Sequence, residues 1–158
     1  NLIDILQQKG IAIKMERKQE LKRLSEKNKI ILVYLFGSQA QKGLQVLNGK
    51  HVKVDDQFED LDIGIVLRDD IPAPKEMPAF YSNLYNQISP VFEPLKLDLV
   101  LLQEQHSVFQ AEAIYGICIY AENTTIQEEY EENILRRAAD FRPVLEKFYE
   151  ERLEELSR

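Results

Sequence analysis

The sequence predicts an α/β (α+β) sandwich around a short sheet, and three observations carry that prediction. Runs of strand length recur at Ile30 to Phe36, Leu61 to Leu67 and Leu97 to Leu102. The first is apolar on both faces, the signature of a central strand covered on both sides. Segments with helical spacing of apolar residues alternate with these runs, from Ile13 to Asn28, Met77 to Ile88 and Ser107 to Tyr115, which is the pattern of helices layered on a sheet. Finally, 158 residues at 44% hydrophobic and 30% charged match a soluble globular domain with enough apolar material for a sizeable core.

Taken in order, Leu2, Ile3, Ile5 and Leu6 suit a short helix ending near Gly10. In the next helix Met15, Leu21 and Leu24 supply the apolar positions, and Lys27-Asn28-Lys29 closes it. Ser38 to Lys42 starts a short helix with Ser38 near its N-terminus. Asn48-Gly49, flanked by short alternating runs, predicts an inserted β-hairpin over 44–54. Phe80, Leu84, Tyr85 and Ile88 form the buried stripe of the helix after the proline-rich loop, and Ser89-Pro90 ends it. Val108, Ala111 and Ile114 to Tyr115 face inward on the following helix, and Ile117 to Tyr120 reads as a short strand. Thr125 and Glu128 have the spacing of a capping box and open a long helix with Tyr130, Ile134, Ala138 and Phe141 on one stripe. Pro143 lacks the N–H and clashes one turn back, so a kink or break is expected there. An apolar stripe resumes at Val144, Leu145, Phe148, Leu153 and Leu156. This divides the chain into a core over 1–122 and a helical extension over 123–158 that packs on the core or on a partner.

The composition excludes several classes. A net charge of −7 argues against direct nucleic-acid binding, which draws its affinity from clustered Lys and Arg. The longest apolar run, Ile30 to Phe36, is far short of a membrane span. Without a secretory signal pattern, the expected location is the cytoplasm. One cysteine, Cys118, and two histidines, His51 and His106, are too few for a structural zinc site. Cys118, among apolar neighbours, reads as a small buried hydrophobe.

The chemistry gathers at three strand ends. Asp60 and Asp62 are i and i+2 at the mouth of a strand, so both point to one face, with Leu61 and Ile63 on the other. Two carboxylates this close repel unless something positive sits between them. Magnesium suits hard oxygen ligands and substrate phosphates. Asp98 stands alone among Leu97, Leu99 and Val100, where an unpaired carboxylate is costly. If its strand lies beside that of Asp60 and Asp62, three acids converge in a way that fits two metals about 3.5–4 Å apart, clamping an in-line phosphoryl displacement. Gly37-Ser38, at the end of the first strand, adds a backbone that approaches a phosphate closely, with amides at the start of a helix pointing at the anion.

Strand-Gly37-Ser38, then Asp60-Leu61-Asp62-Ile63, then Asp98 resembles the DNA-polymerase-β-type nucleotidyltransferase superfamily, and most of all its minimal nucleotidyltransferase (MNT) members. The tail, with Arg136-Arg137-Ala138-Ala139-Asp140-Phe141-Arg142-Pro143 and Tyr149, is similar to the C-terminal helix of MNT antitoxins that pair with HEPN-domain toxins. The resemblance implies a short mixed sheet flanked by helices. It also implies Asp60, Asp62 and Asp98 as catalytic residues holding two Mg2+ ions. Gly37, Ser38 and Lys42 would hold the nucleotide, and Asp98 would help deprotonate the acceptor hydroxyl. The implied activity is transfer of AMP from ATP to a tyrosine of a HEPN RNase toxin, which silences the toxin.

Two departures stand out. The family often shows Gly-Ser-x-Ala-Arg-Gly, whereas this chain has Gln41 in place of the Arg, with Lys42 next to it as a point charge without the bidentate fork. Glu59 precedes the paired acids where Ser is common. The missing Arg keeps open a non-catalytic antitoxin that blocks its toxin by contact. A small-molecule nucleotidyltransferase is the other alternative, although that class usually carries an added substrate domain. Tyr34, Tyr81 and Tyr85 are read as packing residues, His106 as a loop residue, and Glu104 and Glu112 as solvated. The 44–54 hairpin is a candidate contact to the partner.

Overall fold

The computed structural model describes residues 12–55 and 57–158, the side chains of 12–15 aside. The helix expected before Gly10 lies outside the described residues. Helix α1 spans Ala12–Lys27, β1 Ile30–Phe36, α2 Ala40–Leu47, β2 Leu61–Leu67, α3 Met77–Ile88, β3 Leu97–Leu101, α4 Ser107–Ile114, β4 Ile117–Ala121 and α5 Thr124–Leu156. One-turn 3-10 segments follow α3 and β3.

The four strands form one mixed sheet in the order β3-β2-β1-β4. β1 runs antiparallel to β2 and β4, and β2 runs parallel to β3. The parallel pair needs a crossover, and α3 supplies it. Strand alternation then sorts the core into two layers. Val33, Leu35, Leu61, Ile63, Ile65, Leu97 and Leu99 pack with Leu21 and Leu24 of α1, Val46 and Leu47 of α2, and Leu84 and Ile88 of α3. On the opposite face Leu32, Tyr34, Val66 and Leu102 pack with Phe109 and Ala113 of α4 and Ile126 and Tyr130 of α5. A smaller cluster of Ala111, Ile134 and Ala138 joins α4 to α5. Tyr34 is fully buried, and its hydroxyl donates to Glu131 of α5 at 2.8 Å. The loss of solvation and the bond to a carboxylate both push the Tyr34 hydroxyl up.

Four sequence expectations are corrected. The 44–54 segment is not a β-hairpin: α2 runs to Leu47, and Asn48-Gly49 ends it. Gly49 sits at φ +79, its N–H bonds the Val46 carbonyl at 2.9 Å, and the Lys50 N–H reaches back to the Gln45 carbonyl at 2.9 Å. That is the Schellman pattern. A glycine that can take positive φ serves a helix end as readily as a hairpin turn, and the apolar spacing of Leu44 and Leu47 belonged to the helix. Residues 48–55 and 57–60 then lie outside helix and strand, in the loop that joins α2 to β2. The cap of α5 is Asn123, whose side chain accepts from the Ile126 N–H at 2.9 Å, so Thr125 lies inside the first turn and no capping box forms. The helix is not broken at Pro143 but continues through it to Leu156. Past Asp140 almost every side chain of α5 is exposed, so water can satisfy the carbonyl that the missing N–H releases. Tyr115, expected inward, is 67% exposed. Of the resumed apolar stripe, Val144, Phe148, Leu153 and Leu156 are exposed as well. No helix is long and apolar enough to cross a membrane among the described residues.

Candidate active site

The parallel pairing of β2 and β3 puts Asp62 and Asp98 directly opposite each other in register. Their shared face is that of Gly64 and Val100, opposite the face that packs against α1 to α3. Asp60 lies two residues before Asp62 at the mouth of β2, where the Leu61 N–H donates to the Lys96 carbonyl at 2.7 Å. The third acid is therefore on the same side of the sheet as the other two.

The first strand brings the glycine turn to the same place. Phe36 pairs with Asp62, and Gly37 follows it at φ +73. A Cβ built on Gly37 would lie 2.2 Å from the Asp62 carboxylate oxygen Oδ2, so this backbone both needs positive φ and lies against the acid. Gly116, after α4, is packed as closely on the other side of β1: its Cβ would fall 2.1 Å from the Leu35 carbonyl oxygen.

The electrostatics agree with the geometry. Partial burial raises the Asp62 carboxyl above its ordinary value, and the charges of Asp98 and Asp60 raise it further. Asp60 Oδ1 is buried without a hydrogen bond. The Lys96 ammonium stands 3.7 Å away, close enough to offset charge but beyond hydrogen-bond reach. Among the described residues no three acids or histidines are already gathered as an ion's ligands. The donor set is nonetheless one that a hard cation would satisfy: an orphaned carboxylate oxygen, a mutually repelling pair and a glycine cradle beside them.

Ser38 follows the glycine turn, and Lys42 lies in the first turn of α2. Gln39, the residue before α2, is 8% exposed. Its side-chain amide donates to Ser38 Oγ at 3.3 Å and to Glu59 Oε2 at 2.5 Å. Lys42 pairs with Asp55 of the 48–60 loop at 3.2 Å. Sequence reasoning missed Gln39 and Lys96, since a glutamine in a turn and a lysine before a strand carry no signal until their partners are placed. Tyr81, read as packing, also borders the site. Its hydroxyl donates to the Leu99 carbonyl at 2.9 Å on the open side of β3, and burial together with the Asp98 charge raises it. Beside it opens a cleft of about 830 Å³ lined by residues that include Ile71, Met77 and Glu104. His106 is the cap of α4, its Nδ1 accepting from the Phe109 N–H at 3.1 Å, and Glu104 and Glu112 are exposed.

The sequence matches the family described as Polymerase beta, Nucleotidyltransferase over residues 19–125, well over half of the 158 residues. The chain belongs to that family. No curated protein matches it. Several solved structures share the fold at low identity. A toxin–antitoxin MntA-HepT structure aligns with a TM-score of 0.54 at 14% identity, covering 91% of this chain and 99% of that one. A toxin–antitoxin structure with AMP-PNP aligns at 0.53 and 17%, covering 84% and 98%. A structure of tri-AMPylated Shewanella oneidensis HEPN toxin in complex with MNT antitoxin aligns at 0.52 and 15%, covering 86% and 98%. At these identities the likeness is one of fold.

Proposed function

We propose that this member of the polymerase beta nucleotidyltransferase family transfers AMP from ATP to a tyrosine hydroxyl of a cognate HEPN-domain toxin, and so acts as its antitoxin. The observation that carries this reading is the register of Asp62 with Asp98, with Gly37 against Asp62. It brings three acids and a glycine turn to one sheet face. The family match supports the reaction class. The fold shared with MNT antitoxins, one of them solved with AMPylated toxin, supports the acceptor.

Asp60, Asp62 and Asp98 would hold magnesium, as two ions. Bound magnesium would neutralise the triphosphate and the developing charge on the leaving group. The Gly37-Ser38 turn and the first amides of α2 hold the β- and γ-phosphates, and the Ser38 hydroxyl adds a donor. Asp98, exposed at the edge strand, takes the proton of the acceptor hydroxyl. The acceptor oxygen bonds to the α-phosphorus, the bond from that phosphorus to the α–β bridging oxygen breaks, and pyrophosphate leaves. The exposed second half of α5 reaches the toxin, and the pair works in the cytoplasm.

The test is incubation with α-labelled ATP, magnesium and a HEPN-domain protein encoded beside this chain. Label on the partner that disappears with Asp60→Ala plus Asp62→Ala is the expected result. Tight association without label under any condition would replace this reading with inhibition by contact.

A further inference from the structure

Two side-chain donors beside Ser38 are each engaged by a carboxylate of the loop between α2 and β2. The Lys42 ammonium is held by Asp55 at 3.2 Å. The Gln39 amide, which touches Ser38 Oγ, is held by Glu59 at 2.5 Å. Both acids come from the loop that leads into Asp60. The family's usual Arg is Gln41 here.

We propose that Asp55 and Glu59 are built-in competitors of the nucleotide. In the free protein they occupy Lys42 and Gln39. A bound magnesium triphosphate takes over both donors, and the loop lets go of α2. This deepens the nucleotidyltransferase reading and rests on it. The contacts are suited to exchange. Asp55 is 73% exposed, and an ion pair that open to water is weak and readily traded for a polyanion of higher charge. The Lys42 side chain, only 32% exposed, stays in place one turn from Ser38 while its acceptor changes.

The two partners of one ion pair then have opposite effects, which a merely structural contact does not produce. Binding of AMP-PNP with magnesium would be measured by calorimetry on the full chain. Asp55→Asn, and more so Asp55→Asn with Glu59→Gln, is expected to tighten binding several-fold. Lys42→Met is expected to weaken it several-fold, in the wild-type and in the Asp55→Asn background alike. Thermal melting of each variant shows that it is folded. If Asp55→Asn and Lys42→Met shift the affinity in the same direction, or neither shifts it while the wild type binds, the competition is overturned and the nucleotide site stands. If no variant binds AMP-PNP at all, the nucleotide reading falls and takes the competition with it.

Discussion

Asp62 shares a half-buried position with two other carboxylates and has Gly37 as its wall. Its raised carboxyl has a defined consequence for stability. Above the ordinary carboxylate value of 3.8, the unfolded chain has given up this proton while the folded one still favours keeping it. Stability therefore falls as pH rises from that value through the raised one, and stays lower above it. Asp62→Asn removes the penalty. In EDTA the variant is expected to melt at a higher temperature than the wild type at neutral pH, with the difference closing towards acid, while AMP transfer is lost. Magnesium should raise the melting temperature of the wild type and leave the variant nearly unmoved. Gly37→Ala acts on the same contact from the other side. Positive φ costs a Cβ-bearing residue roughly 1–2 kcal/mol, and the methyl must displace the Asp62 carboxylate. A misplacement of about 1 Å can cost on the order of 100-fold in rate. We therefore expect a folded protein, less stable to urea, with transfer reduced to about that extent.

The elements show which parts of the sequence spoke plainly. β1, β2 and α3 lie where their apolar runs place them, because continuous burial on both faces leaves a run of Val, Ile and Leu no alternative. The three acids and the glycine turn were legible for the same reason: a carboxylate at a fixed step from a buried strand has its face assigned by alternation. Asn48-Gly49 was misread because its chemistry is ambiguous. Positive φ closes a two-residue turn or a helix, and only the packing of Val46 and Leu47 into the core decides between them. The Schellman end predicts that Gly49→Ala destabilises the fold by about 1 kcal/mol, as for a non-glycine in the left-handed region. Equilibrium denaturation would measure it. Lys42 with Asp55, Gln39 with Glu59 and Lys96 with Asp60 were invisible beforehand, since each pair joins side chains whose meeting depends on how an irregular loop or a crossover lies.

At the scale of the molecule, the chain divides into a sandwich that carries the site and a helix that outgrows it. α5 is anchored through Tyr130, Ile134 and Ala138, whereas Val144, Phe148, Tyr149, Leu153 and Leu156 lie in solvent. Apolar side chains aligned on one exposed stretch of helix are uncommon without something to cover them. Removing residues 144–158 is expected to leave the melting of the sandwich within a degree or two of the full chain, because the deleted residues bury almost nothing of the core. Co-purification with the proposed HEPN-domain partner should be lost. A large drop in melting temperature would instead place this segment among the supports of the fold.

The side-by-side run of β2 and β3 sets a rule for what the chain can absorb. Between Arg68 and Lys96 the backbone is loop, helix and one-turn coil, and extra residues in the loop over 69–76, before α3, can bulge outward without disturbing either strand. One residue added between Leu97 and Asp98 would do the reverse, since side chains on a strand alternate with a period of two. It would turn the carboxylate into the oily layer beneath and push a leucine out among the acids. Natural variants of this architecture should accordingly differ freely in the span of that crossover, while the two strand openings keep step to the residue.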